Sequence, residues 1–188
     1  MLRLVALTVL AKALGRGYAT SMKIAVTTDH TGLAYEGMYE TFKHYIAELG
    51  HEVVDFGPRT LDMDDDYPDL MFPAAHAVAN GDCDAGVIMG GSGQGEGMAV
   101  NRVKGVRCTV FYSPAITKQP IDAEGRLSTD PYEILRLSRQ HNHANMLSLS
   151  ARFLSPDEMK QAIKIWLETP YSDVERHARR VRKLDGDA

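Results

Sequence analysis

The chain of 188 residues is 44% hydrophobic, enough for one domain with a packed core. Its formal net charge of -4, from 21 basic and 25 acidic residues, provides no global attraction to nucleic acid or an anionic membrane, so any basic site must be local. The two cysteines, Cys83 and Cys108, stand in no C-x-x-C pattern and beside no histidine cluster; they support neither a disulfide framework nor a zinc site, and they suit a reducing, cytosolic setting.

Residues 1–21, MLRLVALTVLAKALGRGYATS, are apolar with Arg3, Lys12 and Arg16 and no acid. That composition is open between a targeting segment and an N-terminal extension such as an added helix, so an organellar or exported location stays open beside the cytoplasmic one. The apolar run is shorter than the roughly 20 residues that a membrane span needs. From Met22 onward the pattern is regular. Lys23–Thr28 predicts a strand, Leu33–Leu49 a helix closed by Gly50, and Glu52–Phe56 a second strand ending at Gly57-Pro58. A helix over Asp69–Ala79 precedes a third strand, Ala85–Met89, and a glycine loop opens a helix from about Gly95 to Arg102. Val106–Tyr112 predicts a fourth strand and Asn145–Ser150 a fifth. The Ser155-Pro156-Asp157-Glu158 capping box starts a helix to Thr169, and a basic helix ends the chain. Strands alternating with helices predict a doubly wound α/β sheet, five-stranded and mostly parallel, with ligands at the carboxyl ends of the strands. The segment Ser113–Asp130, with Pro114, Pro120 and Gly125, reads as a long loop, of a length that in a compact domain is often a functional lid or disordered.

In VIMGGSGQGEGM, residues 87–98, five glycines follow an apolar strand and open a helix, so backbone N–H groups can converge on an anion there. The loop has neither the Walker A nor the dinucleotide fingerprint, and a tight strand-to-helix turn also uses glycine. Glu96 would repel a bound phosphate, but it suits a transient enediolate, which needs N–H donors at its oxygen and a base at its carbon. The competing interpretation is an ordinary acid in a first helical turn. Ser92 can add a hydroxyl. Phosphate then belongs elsewhere: Arg176 and Arg180 are four apart on one helix face and Arg152 follows the fifth strand, although a solvated basic face accounts equally for Arg179, Arg182 and Lys183. Asp29-His30 after strand one and His141-Asn142 before strand five supply acid–base candidates. His44, His51 and His76 read as structural, His177 as a flank to the arginines, and Tyr67 as the lip of a loop.

TTDHTG, DYPD, GGSGQGEGMAVNRVKGVRC, RQHNHAN and ERHARRV, in that order, resemble the B-type ribose-5-phosphate isomerases and the related galactose-6-phosphate isomerases over about Met22 to Leu184. The resemblance implies a Rossmann-like three-layer α/β/α fold and metal-free, cofactor-free aldose–ketose isomerisation of a phosphorylated sugar by a homodimer or dimer of dimers with sites shared across the interface. It implies substrate contacts from Asp29, His30, Tyr67 and Asn142, ring opening assisted by His141, and phosphate binding by Arg152, Arg176 and Arg180. Many members have a cysteine base where this chain has Gly90. A second kind, with a GGSGNGE-like loop, uses the glutamate matching Glu96, and this chain looks like that kind; Ser92 and the Gly91, Gly93, Gln94 and Gly95 segment would hold the enediolate. Ribose 5-phosphate and ribulose 5-phosphate lead as substrates. A hexose 6-phosphate or another pentose or tetrose phosphate comes next, because the 113–130 insertion lies near the sugar, and a non-catalytic sugar-phosphate-binding module is the alternative from another class.

Overall fold

The computed structural model describes residues 21–186, so the extension anticipated over residues 1–21 falls, but for Ser21, outside the described residues. Five strands, β1 (Lys23–Thr28), β2 (Glu52–Asp55), β3 (Ala85–Gly90), β4 (Cys108–Phe111) and β5 (Met146–Ser150), form one sheet in the order β2-β1-β3-β5-β4, and every pairing is parallel. The sheet is wholly, not mostly, parallel because each connection between strands passes through a helix or a long crossover. The helices are α1 (His30–Ala34), α2 (Met38–Glu48), α3 (Tyr67–Ala79), α4 (Gln94–Val100), α5 (Glu133–Asn142), α6 (Pro156–Glu168) and α7 (Glu175–Leu184).

The three layers follow from the period of two along the central strands. Ile24 and Val26, Val87 and Met89, and Leu147 and Leu149 share one core with Tyr39, Phe42 and Ile46 of α2 and Met159, Ile163 and Trp166 of α6. Their alternates Ala25, Ile88 and Met146 share the second core with Met71, Ala74 and Val78 of α3 and Ala99 and Val100 of α4. Both faces are thus covered, as continuous apolar strands require.

The single helix expected over Leu33–Leu49 is two. Gly37 adopts φ 72, outside the helical region, and separates α1 from α2. Helix α3 begins at Tyr67, two residues before the expected start, because Pro68 is accommodated in a first turn, where its missing N–H costs nothing. The capping box at Ser155 is formed, with Ser155 and Glu158 bonding reciprocally. The order of strands changes direction between β1 and β3, and the loops after those two strands carry Asp29-His30 and the glycine segment.

The loop over Ser113–Asp130 folds back on itself. The Ala115 N–H donates to Pro131 O at 2.8 Å, Ile121 N–H to Arg126 O at 2.8 Å, and the Thr117 hydroxyl to Ser128 O at 3.1 Å.

Candidate active site

The glycine loop is held by its carbonyls. Gly90 O accepts from Ala151 N–H at 2.9 Å, Gly91 O from Arg152 N–H at 3.1 Å and from the Ser150 hydroxyl at 3.0 Å, and Gly93 O from the Ser148 hydroxyl at 2.7 Å. A trans peptide points its N–H opposite its C=O, so with these carbonyls turned toward β5 the N–H groups of Gly91, Ser92 and Gln94 turn away from it. The Gln94 N–H donates to Ser92 Oγ at 3.2 Å, which leaves the Ser92 hydroxyl hydrogen free to donate. Gly93 takes φ 73 at the head of α4, a conformation that suits glycine alone without strain.

Glu96 sits in the first turn of α4 and is only 5% exposed. Its Oε2 is buried without a hydrogen-bond partner. A Cβ at position 90 would overlap the Glu96 carboxyl group, so this carboxyl fills the volume that a side chain at Gly90 would take. Burial pushes the Glu96 pKa up; its own backbone N–H opposes that, the neighbouring Asp29 carboxyl adds to it, and His30 opposes it. A buried, under-bonded carboxyl with a raised pKa is the environment in which a glutamate works as a general base near neutrality.

Asp29 caps α1, accepting from Thr31 N–H at 2.9 Å and the Thr31 hydroxyl at 3.2 Å, and is 4% exposed. His30 opens the same helix. Its backbone N–H donates to Asp65 Oδ2 at 2.6 Å, and its Nδ1 lies 2.8 Å from Asp65 Oδ1. The Asp65 hydrogen bond is the largest cause raising the His30 pKa; burial lowers it, Asp29 raises it further and Arg152 lowers it. The Arg152 guanidinium lies against Gly91, where a Cβ would be 3.0 Å from its Cζ, and the Tyr67 ring lies against Gly95, where a Cβ would be 2.9 Å from its Cζ. The carboxyl ends of β1 and β3, where a doubly wound sheet has its ligand crevice, thus gather Asp29, His30, Tyr67, Gly91, Ser92, Gly93, Gln94, Gly95, Glu96 and Arg152.

The remaining candidates form a second group. Asn142 ends α5 and β5 begins at Met146, so the end of α5 lies at the amino-terminal edge of the sheet, opposite the glycine loop. There the His141 ring packs on the His177 ring, with centroids 4.1 Å apart, and Arg176 Nε donates to His177 Nε2 at 3.2 Å. His177 is buried and supports His141 directly, a closer role than flanking the arginines. Burial lowers the His141 pKa, and Arg176 and Arg180 lower it further, which favours the neutral imidazole. A cleft of about 320 Å³ opens here, lined in part by His141, Arg176, His177, Tyr171, Asp122 and Glu124. The last two belong to the 113–130 loop, and Glu124 lies 3.6 Å from Arg176. Asn142 faces a different cleft, beside Asn101 and Cys108. Asp65 escaped sequence reasoning because it stands among the acids of DMDDDYPD, and nothing in their spacing singles one out. Among the described residues no three His, Cys, Asp or Glu side chains are grouped to hold a metal ion.

Comparison with known proteins identifies the family. The profile of the family described as Ribose/Galactose Isomerase matches residues 24–123 and 127–184, with its break inside the 113–130 loop. The chain belongs to the ribose/galactose isomerase family. Ribose-5-phosphate isomerase B of Mycobacterium leprae (strain TN) is 30% identical over 162 residues, spanning 86% of this chain and 87% of the relative. The structure of the Trypanosoma brucei type B ribose 5-phosphate isomerase superposes with a TM-score of 0.73 at 30% identity, covering 90% of this chain and all of that one. Ribose-5-phosphate isomerase B of Mycoplasma genitalium, solved with bound ribulose-5-phosphate, superposes with a TM-score of 0.71 at 32% identity over 87% of this chain and 94% of that one. As a member of this family the chain is an aldose–ketose isomerase, and its Rossmann-like α/β/α fold is that of the type B structures. Among the described residues no helix is long and apolar enough to cross a membrane.

Proposed function

We propose that the chain interconverts ribose 5-phosphate and ribulose 5-phosphate through a cis-enediolate, with Glu96 as the base. The names of its relatives and the ribulose-5-phosphate bound to the Mycoplasma genitalium structure support that substrate pair. One observation carries the mechanism: a buried carboxyl with an unpartnered oxygen lies beside Gly90, next to a loop whose N–H groups turn away from β5.

In the forward direction the His141 imidazole assists ring opening to the free aldehyde. Glu96 removes the C2 proton, and the electron pair of the C2–H bond forms the C1–C2 double bond while the carbonyl oxygen on C1 takes the negative charge. Amide N–H groups of the Gly91–Gly95 segment and the Ser92 hydroxyl stabilise that oxygen. A proton passes from the C2 hydroxyl to O1, and the protonated Glu96 returns its proton to C1, leaving the ketone at C2. Asp29, His30, Tyr67 and Asn142 bind substrate, while Arg152, Arg176 and Arg180 hold the phosphate, for which guanidinium groups are suited by their paired donors.

Within one chain Arg152 lies with Glu96, whereas His141, Arg176 and Arg180 belong to the opposite end of the sheet. This division supports a homodimer in which each crevice is completed by the His141 and arginine cluster of the other subunit. The cytoplasm suits such chemistry on a soluble phosphorylated metabolite. A panel of phosphorylated aldoses and ketoses, assayed for turnover without added metal, tests the substrate reading: ribose 5-phosphate should be turned over with the highest kcat/KM. A higher value for a hexose 6-phosphate or a tetrose phosphate would overturn that choice, and a protein that binds sugar phosphates without turning any over would be a binding module.

A further inference from the structure

We infer that Asp65 is a positioning residue for His30, fixing its ring so that Nε2 is the nitrogen offered to the substrate. This rests on the reading of the crevice as a sugar-phosphate site. The two residues are 35 apart in sequence and meet twice: one Asp65 oxygen takes the His30 backbone N–H at 2.6 Å and the other lies 2.8 Å from His30 Nδ1. An ionised carboxylate only accepts, so Nδ1 must carry a proton, and the neutral ring is then the Nδ1–H tautomer with a free Nε2. The contact is sheltered, since the side chains of His30 and Asp65 are 22% and 11% exposed.

The same contact sets the charge. His30 is faced by Asp65 from the loop before α3, by Asp29 from its own helix cap, by Glu96 from α4 and by Arg152 from the loop after β5. Asp29 lies 3.9 Å from Nδ1 and makes no hydrogen bond to it, so both carboxylates favour the imidazolium but the orienting bond comes from Asp65. The fixed ring then directs a single Nε2–H donor at a substrate oxygen beside the base. Holding the ring twice over, through the backbone and through Nδ1, restricts it to one orientation.

Asp65→Asn and Asp65→Ala test this, because asparagine loses the charge and replaces one of the two acceptors by a donor, whereas alanine loses every partner. Nitrogen-15 NMR of the histidine rings should find neutral His30 as the Nδ1–H tautomer in the wild type and as the Nε2–H tautomer in Asp65→Asn, where the backbone N–H takes the one amide oxygen and the NH2 faces Nδ1, with a lower titration midpoint in the variant. In Asp65→Ala the tautomer should change as well. We expect kcat/KM at neutral pH to fall roughly 10- to 100-fold in both variants, the scale on which losing the partner that orients a metal-ligating histidine lowers activity. The ratio of Asp65→Asn to wild-type kcat/KM should rise toward one as the pH falls and His30 regains its proton. An unchanged His30 tautomer and midpoint in both variants, or a kcat/KM ratio that is flat with pH, would overturn the assignment. A wild-type protein inert toward every sugar phosphate would instead sink the isomerase reading and leave the NMR comparison to decide the role of Asp65.

Discussion

Gly90 and Glu96 share a single side-chain volume: a Cβ on the first would overlap the carboxyl group of the second. A side chain at position 90, such as the cysteine that the resemblance places there in many members, would enter that volume from β3; here it is filled from α4 instead. The arrangement makes the glycine a condition of the glutamate. Gly90→Ala should therefore displace the Glu96 carboxyl and lower kcat by about 100-fold or more, the scale of a lost general base, while the far-ultraviolet circular dichroism stays that of the wild type. A variant with undiminished kcat would contradict the shared volume.

The raised pKa of Glu96, due first to burial and then to Asp29, has two consequences of opposite sign. The base works only when deprotonated, so kcat should fall on the acid side with a midpoint above the ordinary glutamate range. Asp29→Asn, which removes one of the raising groups, should move that midpoint down. For stability, a carboxyl whose folded pKa exceeds its unfolded value stabilises the fold below the unfolded pKa and loses that contribution as the pH rises through the folded one. Glu96→Gln, a permanent neutral mimic, should therefore melt above the wild type at neutral and higher pH, with the gap closing as the pH falls below the ordinary glutamate range. Thermal melts across pH check the sign.

Helix α7 carries Arg176 and Arg180, and its end is tied down by one residue. Arg107 Nη1 lies 2.8 Å from each carboxylate oxygen of Asp185, while Arg107 Nε donates to His143 O at 3.0 Å. Asp185→Ala should cost about 1–3 kcal/mol of stability through the loss of charged, partly buried hydrogen bonds. Because α7 carries the arginines assigned to phosphate and not the base, KM should rise more than kcat falls. Denaturant titration and steady-state kinetics separate the two effects.

The separation of the two residue groups within one chain predicts complementation. Glu96→Gln and Arg176→Ala, each inactive alone, should form mixed dimers in which one crevice combines the intact Glu96 of one subunit with the intact Arg176 of the other. Mixed dimers purified with two different tags should thus regain activity. Mixed dimers as inactive as either parent would contradict a shared site.

The strands and the glycine loop were legible because local chemistry decides them. KIAVTT, AGVIMG and MLSLS are apolar runs of strand length, and the glycines mark where a backbone must turn or approach closely. The break at Gly37 was hidden by apolar residues that keep near-helical spacing across it, and only the left-handed φ reveals it. The pairing of Asp65 with His30, the packing of His177 against His141 and the contact of Glu124 with Arg176 all join segments distant in sequence. Periodicity carries no information about such contacts. The order of the motifs revealed the family, but the distribution of its residues over two ends of the sheet required the topology.

The central claim, that Glu96 moves the C2 proton, is tested most directly by solvent exchange. Ribose 5-phosphate incubated in D₂O with the wild-type protein and no added metal should acquire deuterium at C2, read by proton NMR. In Glu96→Gln the rate should fall by about 100-fold or more while inorganic phosphate still binds. Exchange by Glu96→Gln at the wild-type rate would contradict the assignment of the base.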